Sequence, residues 1–269
     1  MKILLTNDDG FDAKGIITLA RIMKPYGDLT VVAPKVPQSG MSMAVNLSGS
    51  PIAVKRLSSR PGEEWWYLDG SPSSCVKFGL DNILFPEVPD VVVSGINHGA
   101  NYGTAACYSG TIGAAQEGAL AGIPSIAVSL DRMEDPDFAA VEELFPPLFE
   151  AILANLPYSF GVLYNINFPD LPAKEIKGVR TAEQGVLRWG DEFQPFDPAR
   201  YHRPAPIPEE GEKQYVMSGT LVNVRPDHSL SDYNLVKAGY IAVTPLNLLA
   251  MDRAESERLR SLPFDKSFI

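Results

Sequence analysis

Two adjacent carboxylates, Asp8 and Asp9, lie near the start of the chain in the tetrad Asn7-Asp8-Asp9-Gly10. The tetrad follows the mainly apolar residues 1–6, which are typical of a buried parallel strand. In open α/β sheets, ligands bind just outside the carboxyl ends of the strands. Adjacent acids there repel each other unless a positive charge, such as a divalent cation with oxygen ligands, lies between them. The same residues also form good turns, so the tetrad alone predicts either a polar turn or a cation site.

Two later loops carry further oxygen ligands. Ser39 follows a second apolar run, and Asn97 follows a third. Parallel strands would bring both loops to the sheet edge that carries Asp8 and Asp9. Carboxylate, hydroxyl and amide oxygens are the ligands that Mg²⁺, Mn²⁺ or Ca²⁺ prefers. Serine and asparagine also favour capping positions, and the residues alone favour that interpretation of Ser39 and Asn97.

The segment Ser109-Gly110-Thr111 precedes a small-residue pattern that predicts the start of a helix at about Thr111. A helix N-terminus offers free N–H groups and a positive dipole end, which suit a phosphate. An ordinary serine or threonine cap is the commoner interpretation. His98, in the preceding loop, could donate a proton to a phosphate, but a solvated loop residue is favoured.

Strand and helix patterns alternate through the first half of the chain. Asp12 is predicted to cap a helix that runs to about Met23, and Ser73 or Ser74 to cap a second helix. The βαβα order indicates a doubly wound, mostly parallel, Rossmann-like α/β sheet with right-handed crossovers.

The pattern changes after about residue 170. We predict an α/β catalytic core over residues 1–170 and an extension over 171–269. The extension contains a proline-rich hairpin at about 186–213, a return strand to the core at about 240–245, and a C-terminal helix or arm. Long proline-rich stretches inside compact proteins are usually lids, arms or interaction loops.

Composition narrows the classes of function. The chain has 269 residues and a formal net charge of −10, so its overall field does not attract duplex nucleic acid or an anionic membrane. Its two cysteines, Cys75 and Cys107, have no spacing typical of a disulfide framework or a zinc site. A signal segment and an apolar run of about 18 residues are both missing from the pattern, so we expect a cytoplasmic protein without a membrane partner.

In their order and spacing, these segments resemble the SurE family, the stationary-phase survival proteins, which are metal-dependent nucleotidases. The likeness covers residues 1–170 and returns at about 232–247. The segments that carry it are 3–10, 31–34, 38–40, 93–97, 99–101, 108–111, 165–170 and 239–246.

The resemblance implies one divalent cation per subunit, Mg²⁺ or Mn²⁺ and possible Ca²⁺ in a crystal, held by Asp8, Asp9, Ser39 and Asn97. One of the two aspartates would mainly anchor the cation, and the other would accept a proton from water. Substrate contacts are expected from Asn7, Gly40, Asn101, Ser109, Gly110 and Thr111.

The resemblance also implies hydrolysis of nucleoside 5′- and 3′-monophosphates to nucleoside and phosphate, with short polyphosphate as a further substrate. Family members assemble as dimers or tetramers that often exchange a C-terminal arm and a long hairpin. Residues 186–213 and 252–269 are the matching segments here. We therefore expect a homodimer or homotetramer with an exchanged C-terminal arm.

Three positions depart from the family pattern. Thr104-Ala105-Ala106 stands where relatives usually carry acidic residues, Lys14 where proline is usual, and Ser74 where aspartate is frequent. None of them belongs to the predicted metal set, so they bear on substrate specificity more than on activity.

Two other functions fit the same residues. Asp8 could be the covalent nucleophile of an aspartyl-phosphate phosphatase, which would disfavour Ser39 and Asn97 as metal ligands. A non-catalytic nucleotide- or metal-binding module would use the same loops without turnover.

Overall fold

The computed structural model describes residues 1–155, 159–200, 206–249 and 252–260. The strands are β1 (Lys2–Thr6), β2 (Asp28–Pro34), β3 (Val54–Arg60), β4 (Glu63–Leu68), β5 (Val91–His98), β6 (Ser125–Leu130), β7 (Val162–Phe168), β8 (Val179–Thr181), β9 (Leu187–Gly190), β10 (Phe193–Pro195), β11 (Tyr215–Met217), β12 (Thr220–Asn223) and β13 (Ile241–Asn247). The α-helices are α1 (Lys14–Met23), α2 (Pro72–Phe78), α3 (Gly110–Leu120), α4 (Ala139–Ala154), α5 (Asp232–Lys237) and α6 (Arg253–Arg260). Short 3-10 helices cover Lys24–Tyr26, Gly103–Tyr108 and Ala173–Glu175, and one π-helical segment covers Gly79–Leu84.

In the described part of the chain, nine strands form one sheet in the order β3-β4-β2-β1-β5-β6-β7-β13-β8. The six adjacent strands from β4 to β7 run parallel to one another, whereas β3 pairs antiparallel with β4 and β13 pairs antiparallel with β7. The central strands are continuously apolar because helices cover both of their faces. The predicted mostly parallel α/β fold is confirmed.

Helices cover the two faces of the sheet as a doubly wound fold requires. On one face, Ile3 and Leu5 of β1 pack with apolar residues of α1 and α4. On the other face, Leu4 packs with the buried Cys75 of α2 and Ala114 of α3. Because side chains alternate along a strand, those of β1 belong to two hydrophobic clusters, one on each face of the sheet.

The central position of β1 brings three loops together. Strands β2 and β5 flank β1 and run parallel to it, so the loops that follow all three strands leave from one edge of the sheet. The ladder between β5 and β6 is irregular between Ser94 and Asn97. This irregularity re-aims the end of β5 at the place where the predicted ligand Asn97 lies.

The extension forms a two-part hairpin and a return to the sheet. Strand β9 pairs antiparallel with β12, and β10 with β11, so the paired region ends at Asn223, beyond the predicted limit of residue 213. The return strand β13 begins one residue later than expected and runs to Asn247. His202 and residues 261–269 of the predicted arm lie outside the described residues.

Two predicted helix caps are wrong. Helix α1 has Ala13 at its N-cap without a side-chain cap, because Asp12 lies within the turn that the Ala13 N–H closes on the Gly10 carbonyl, one residue before the cap position. Helix α2 is capped by Ser71, whose hydroxyl oxygen accepts the Ser74 N–H at 3.2 Å. Pro72 determines this start, since proline lacks an N–H and suits the first helical position.

None of the helices in the described residues is long and apolar enough to cross a membrane.

Helix α1 lies so close to β5 that the contact requires glycine at position 15. A Cβ atom on Gly15 would lie 2.0 Å from the Ile96 carbonyl oxygen. We expect Gly15→Ala to lower the free energy of unfolding by about 2 kcal/mol, although alanine is the better helix former. Urea unfolding would measure this change. Ile17→Ala alters a half-exposed side chain of the same helix and should change stability by less than about 1 kcal/mol; equal losses would contradict the packing argument.

Candidate functional site

The opening tetrad is a tight turn at the end of β1. The Asn7 side chain donates from Nδ2 to the Gly10 carbonyl at 2.8 Å, and Gly10 has a φ of +107°, which favours glycine. The Phe11 N–H donates to the Pro34 carbonyl at 3.0 Å, which fixes the turn to the end of β2. Asn7 is fully buried, and its Oδ1 atom has no hydrogen-bond partner among the described residues.

The turn leaves two carboxylates in little water. Asp8 is 4% exposed and Asp9 is partly buried. Burial raises the pKa of Asp8 to about 6; the charge of Asp9 adds to this rise, whereas hydrogen bonds from Thr111 oppose it. Burial likewise raises the pKa of Asp9 to about 6, opposed by the backbone N–H of His98. Desolvation and mutual repulsion therefore make this pair a place where a cation would be stabilising.

Thr111 joins the first and third loops. Its hydroxyl donates to Oδ1 of Asp8 and also lies 3.2 Å from Oδ1 of Asn97. A hydroxyl has a single proton, and Asp8 is the nearer acceptor, so the Asn97 oxygen keeps free lone pairs. The Asn97 side chain is oriented by its own donation to the Gly99 carbonyl at 2.6 Å. The His98 N–H reaches Oδ2 of Asp9 at 3.4 Å, which completes the connection between the loops.

The N-terminus of α3 packs directly on Asp8. A Cβ atom on Gly110 would lie 2.8 Å from the Asp8 Cβ, so only glycine permits this approach. Ser109 is the N-cap, and its hydroxyl oxygen accepts the Ile112 N–H at 3.2 Å. The predicted helix start is therefore correct to one residue. The positive end of the helix dipole lies beside the carboxylates, where an anion can approach it.

The loop after β2 is held at both ends of its site-facing segment. The Gln38 N–H donates to the Asp8 carbonyl at 2.7 Å, and the Ser42 N–H donates to the Tyr108 carbonyl at 3.0 Å. Ser39 and Gly40 lie between these anchors and are exposed. No hydrogen bond joins the Ser39 hydroxyl to Asp8 or Asp9 in the described part of the chain. Ser39 is therefore linked to Asp8 only through the backbone of the preceding residue, Gln38, in the part of the chain that the structure describes.

Asn101 belongs to a buried amide network that the sequence reasoning missed. Its side chain donates to the Ser129 hydroxyl at 2.9 Å, and its backbone N–H donates to Asn167 Oδ1 at 2.7 Å. Asn165 donates to the Asn101 carbonyl at 2.6 Å. These contacts fix the loop after β5 to β7. Two asparagines at alternate positions of an apolar strand were the available signal, because both then lie on one buried face.

His98 is not the solvated loop residue that the sequence favoured. Its ring lies 5.6 Å from that of Phe138, measured between centroids, and its Nε2 atom is buried without a hydrogen-bond partner among the described residues. Burial lowers the pKa of the imidazole. The reason for the difference is that β5 continues to His98, which places the ring against the segment that leads into α4.

The residues present fit a hard divalent cation. Within the described ranges, no group of three or more His, Cys, Asp and Glu side chains could hold a metal ion. A cation here would therefore have two carboxylates and otherwise neutral oxygens, with Asn97 Oδ1 the best placed of them. Oxygen ligands of this kind suit Mg²⁺ and Mn²⁺ and not softer metals. Two desolvated carboxylates follow directly after Asn7, whose buried Oδ1 atom has no partner among the described residues, so this turn lacks positive charge and hydrogen-bond donors.

Comparisons with known proteins identify the family of this chain. Residues 3–191 match the family model described as survival protein SurE. The chain is 36% identical to the 5′-nucleotidase SurE of Thermosipho africanus over 99% of both chains. It is 40% identical to that of Syntrophobacter fumaroxidans, over 92% of this chain and 93% of the relative. The crystal structure of the SurE protein from Aquifex aeolicus superposes with a TM-score of 0.79 at 30% identity, covering 97% of this chain and 98% of that one. The chain belongs to the SurE family.

Proposed function

We propose that this protein is a divalent-metal-dependent phosphomonoesterase that hydrolyses nucleoside 5′-monophosphates to nucleoside and phosphate. The observation that carries the proposal is the meeting of Asp8, Asp9 and Asn97 with the N-terminus of α3 at one edge of the sheet. The relatives named 5′-nucleotidase align over nearly the whole chain, which supports the same substrate class. We extend the proposal to 3′-monophosphates and short polyphosphate, because the groups at the site would contact phosphate and not the sugar.

Asp8, Asp9, Asn97 and Ser39 would hold the cation. When bound, the cation would supply positive charge for a phosphate oxygen and for the water that attacks phosphorus. Ser39 would have to turn inward from its exposed position. The loop permits this movement because its backbone anchors are at Gln38 and Ser42, on either side of Ser39 and Gly40.

Asp8 and Asp9 differ in what surrounds them, and this difference divides their roles. Asp8 is nearly inaccessible and accepts the Thr111 hydroxyl, so it serves as an anchor. Asp9 is more exposed and, among the described residues, receives only the long 3.4 Å contact from the His98 N–H. Asp9 is therefore the better acceptor for the proton of the attacking water. The same burial of Asp8 disfavours it as a covalent nucleophile.

The start of α3 and the loop after β2 would hold the phosphate. The Ser109 hydroxyl accepts from Ile112 and still has its own proton to donate. The Gly110 N–H lies in the first turn of α3, where backbone donors have no partner within the helix. Gly40 has a φ of +76° and open space around its Cα, so its backbone can approach an anion closely. Water adds to phosphorus as the bond to the nucleoside oxygen breaks, and these donors would hold the phosphoryl oxygens both in the bound substrate and in the transition state.

Hydrolysis assays test this function directly. With Mg²⁺ or Mn²⁺, we expect release of phosphate from 5′- and 3′-nucleotides, short polyphosphate and p-nitrophenyl phosphate, and no release in EDTA. Asp8→Asn and Asp9→Asn should each lower kcat/KM by about 100-fold or more, because each removes charge at the reacting centre. Asp12→Asn changes an exposed carboxylate three residues away and should retain activity within about twofold. Full activity in EDTA would contradict the proposed dependence on a metal ion.

The carboxylate pair also predicts an effect on stability that needs no turnover. A carboxyl group whose pKa is raised on folding destabilises the folded state, and the cost is fully present once the pH exceeds the folded pKa of about 6. At pH 8 in EDTA, Asp8→Asn should therefore raise the free energy of unfolding by about 1–3 kcal/mol. Urea unfolding with and without Mn²⁺ measures this. Mn²⁺ should stabilise the unaltered protein and leave Asp8→Asn unchanged; the same gain in both would exclude Asp8 as a ligand.

We also propose that the hairpin of β9–β12 contacts a second copy of the chain in a homodimer or homotetramer with an exchanged arm. Phe193 and Met217 are directly paired across the hairpin and are 62% and 68% exposed. An apolar pair so exposed on the hairpin favours burial against another copy.

Light scattering coupled to gel filtration would test the assembly. The unaltered protein should have at least the mass of a dimer, and Phe193→Asp combined with Met217→Asp should shift it toward monomer. Leu47→Asp, at an 89% exposed position outside the hairpin, should leave the mass unchanged. A monomeric parent protein would contradict the proposal.

A further inference from the structure

A buried aspartate outside the site ties three segments of the chain together. Asp232, the first residue of α5, is fully buried. Its Oδ2 atom accepts the Gly103 N–H at 2.8 Å, and its Oδ1 atom accepts the Gly185 N–H at 3.0 Å and the Tyr233 N–H at 2.8 Å. One side chain therefore joins the loop after β5, the residues that lead into the hairpin, and α5.

The base of the hairpin makes two further hydrogen bonds to the same loop. Gln184 donates from Nε2 to the Gly103 carbonyl at 2.9 Å, and the Thr104 hydroxyl donates to the Leu187 carbonyl. Gly103 has a φ of +54°, and a Cβ atom there would lie 2.8 Å from the Gly185 carbonyl oxygen. Thr104, one of the departures from the family pattern, thus has a role in this chain. Its hydroxyl links the loop to the start of β9.

The tied loop leads directly to the predicted phosphate contacts. The 3-10 helix of Gly103–Tyr108 begins at the residue that Asp232 holds and ends immediately before Ser109. On the other side, Asn101 is fixed to β7 by its contacts with Asn165 and Asn167. The 3-10 helix is continued by the Ser109 N–H, which donates to the Ala106 carbonyl at 3.3 Å, so a shift of Gly103 is passed on to Ser109. The position of Ser109 and Gly110 thus depends on where Gly103 is held.

We propose that Asp232 is a positioning residue that ties the hairpin base to Gly103 and so holds Ser109 and Gly110 in place for the phosphate of the substrate. The inference rests on the proposed function of this site. A carboxylate suits the role because its two oxygens accept several N–H groups at once. An asparagine of the same shape offers one acceptor oxygen and brings two donors, so it cannot satisfy Gly103 and Gly185 together.

Asp232→Asn tests the inference. Ser109 and Gly110 would contact the phosphate of bound substrate as well as the transition state, so their displacement should act mainly on KM. We expect KM for a nucleoside 5′-monophosphate to rise about tenfold while kcat stays within about threefold. Amide hydrogen exchange over residues 103–112 should become faster in the same variant, a readout that does not depend on activity.

Ser231→Ala is the matched control. Ser231 is the N-cap of the same helix, is 1% exposed, and accepts the Asn234 N–H at 3.2 Å. Its loss weakens α5 without removing an acceptor from Gly103. We expect a lowered melting temperature, KM within about twofold of the unaltered protein, and unchanged exchange over residues 103–112. Equal changes in KM for both variants would show that Asp232 acts only through the stability of α5, and would overturn the inference.

Gln184→Met provides a second route if Asp232→Asn does not fold. Gln184 is at an exposed position. Its replacement by methionine removes one hydrogen bond to Gly103 without burying a new polar group. A rise in KM of about threefold with faster exchange at Gly103 supports the inference; unchanged KM and exchange overturn it. An inactive unaltered protein overturns the proposed function and this inference together, whereas an active one with normal KM in the variants overturns this inference alone.

Discussion

The desolvated carboxylate of Asp8 is the constraint on which the rest of the site depends. A charge at the end of a buried strand is costly unless hydrogen bonds and an opposite charge offset it. Thr111 supplies a hydrogen bond, and Gly110 lets the backbone of α3 reach the carboxylate. The positive end of the helix is thereby placed beside the carboxylates. The buried carboxylates destabilise the folded protein when no cation is bound. Together with the N-terminus of α3, they would make the site selective for a cation bound with a phosphate.

Close backbone approach is how this fold positions its loops. Helix α1 passes within contact of the Ile96 carbonyl at Gly15, and α3 reaches Ser42 at Gly113, where a Cβ atom would lie 2.1 Å from the Ser42 carbonyl oxygen. Side chains at these places would push the helices away from β5 and from the loop after β2. Strand β5 and the loop after β2 both carry predicted ligands. The close packing at these glycines therefore determines the geometry of the site.

Sequence reasoning predicted the sheet and placed the loops that carry Asp8, Asp9, Ser39 and Asn97 at one of its edges, because both follow from parallel strands with apolar runs. The bond between Thr111 and Asp8 was not predictable, since it joins residues 103 positions apart and depends on how α3 docks. The cap at Ser71 was missed because the effect of Pro72 on the helix start outweighs the propensities of Ser73 and Ser74. Asp232 gave no signal at all, because its partners are backbone groups of distant loops. Local sequence pattern therefore predicts the helices, the strands and the edge of the sheet where loops meet. Contacts between loops can be found only from the packed structure.

The overall charge of the protein adds a further requirement. With a formal net charge of −10, the chain repels the anionic substrate that we propose for it. The two carboxylates at the site strengthen that repulsion locally, and the dipole of α3 alone, equivalent to about half a charge, is too small to reverse it. A divalent cation held by the two carboxylates would reverse the local field and would favour phosphate at the N-terminus of α3. Metal binding and substrate binding must then be coupled by a shared electrostatic free energy, so that each strengthens the other. The hairpin base, through Asp232 and Gly103, adjusts only the geometry of the donors that complete this arrangement.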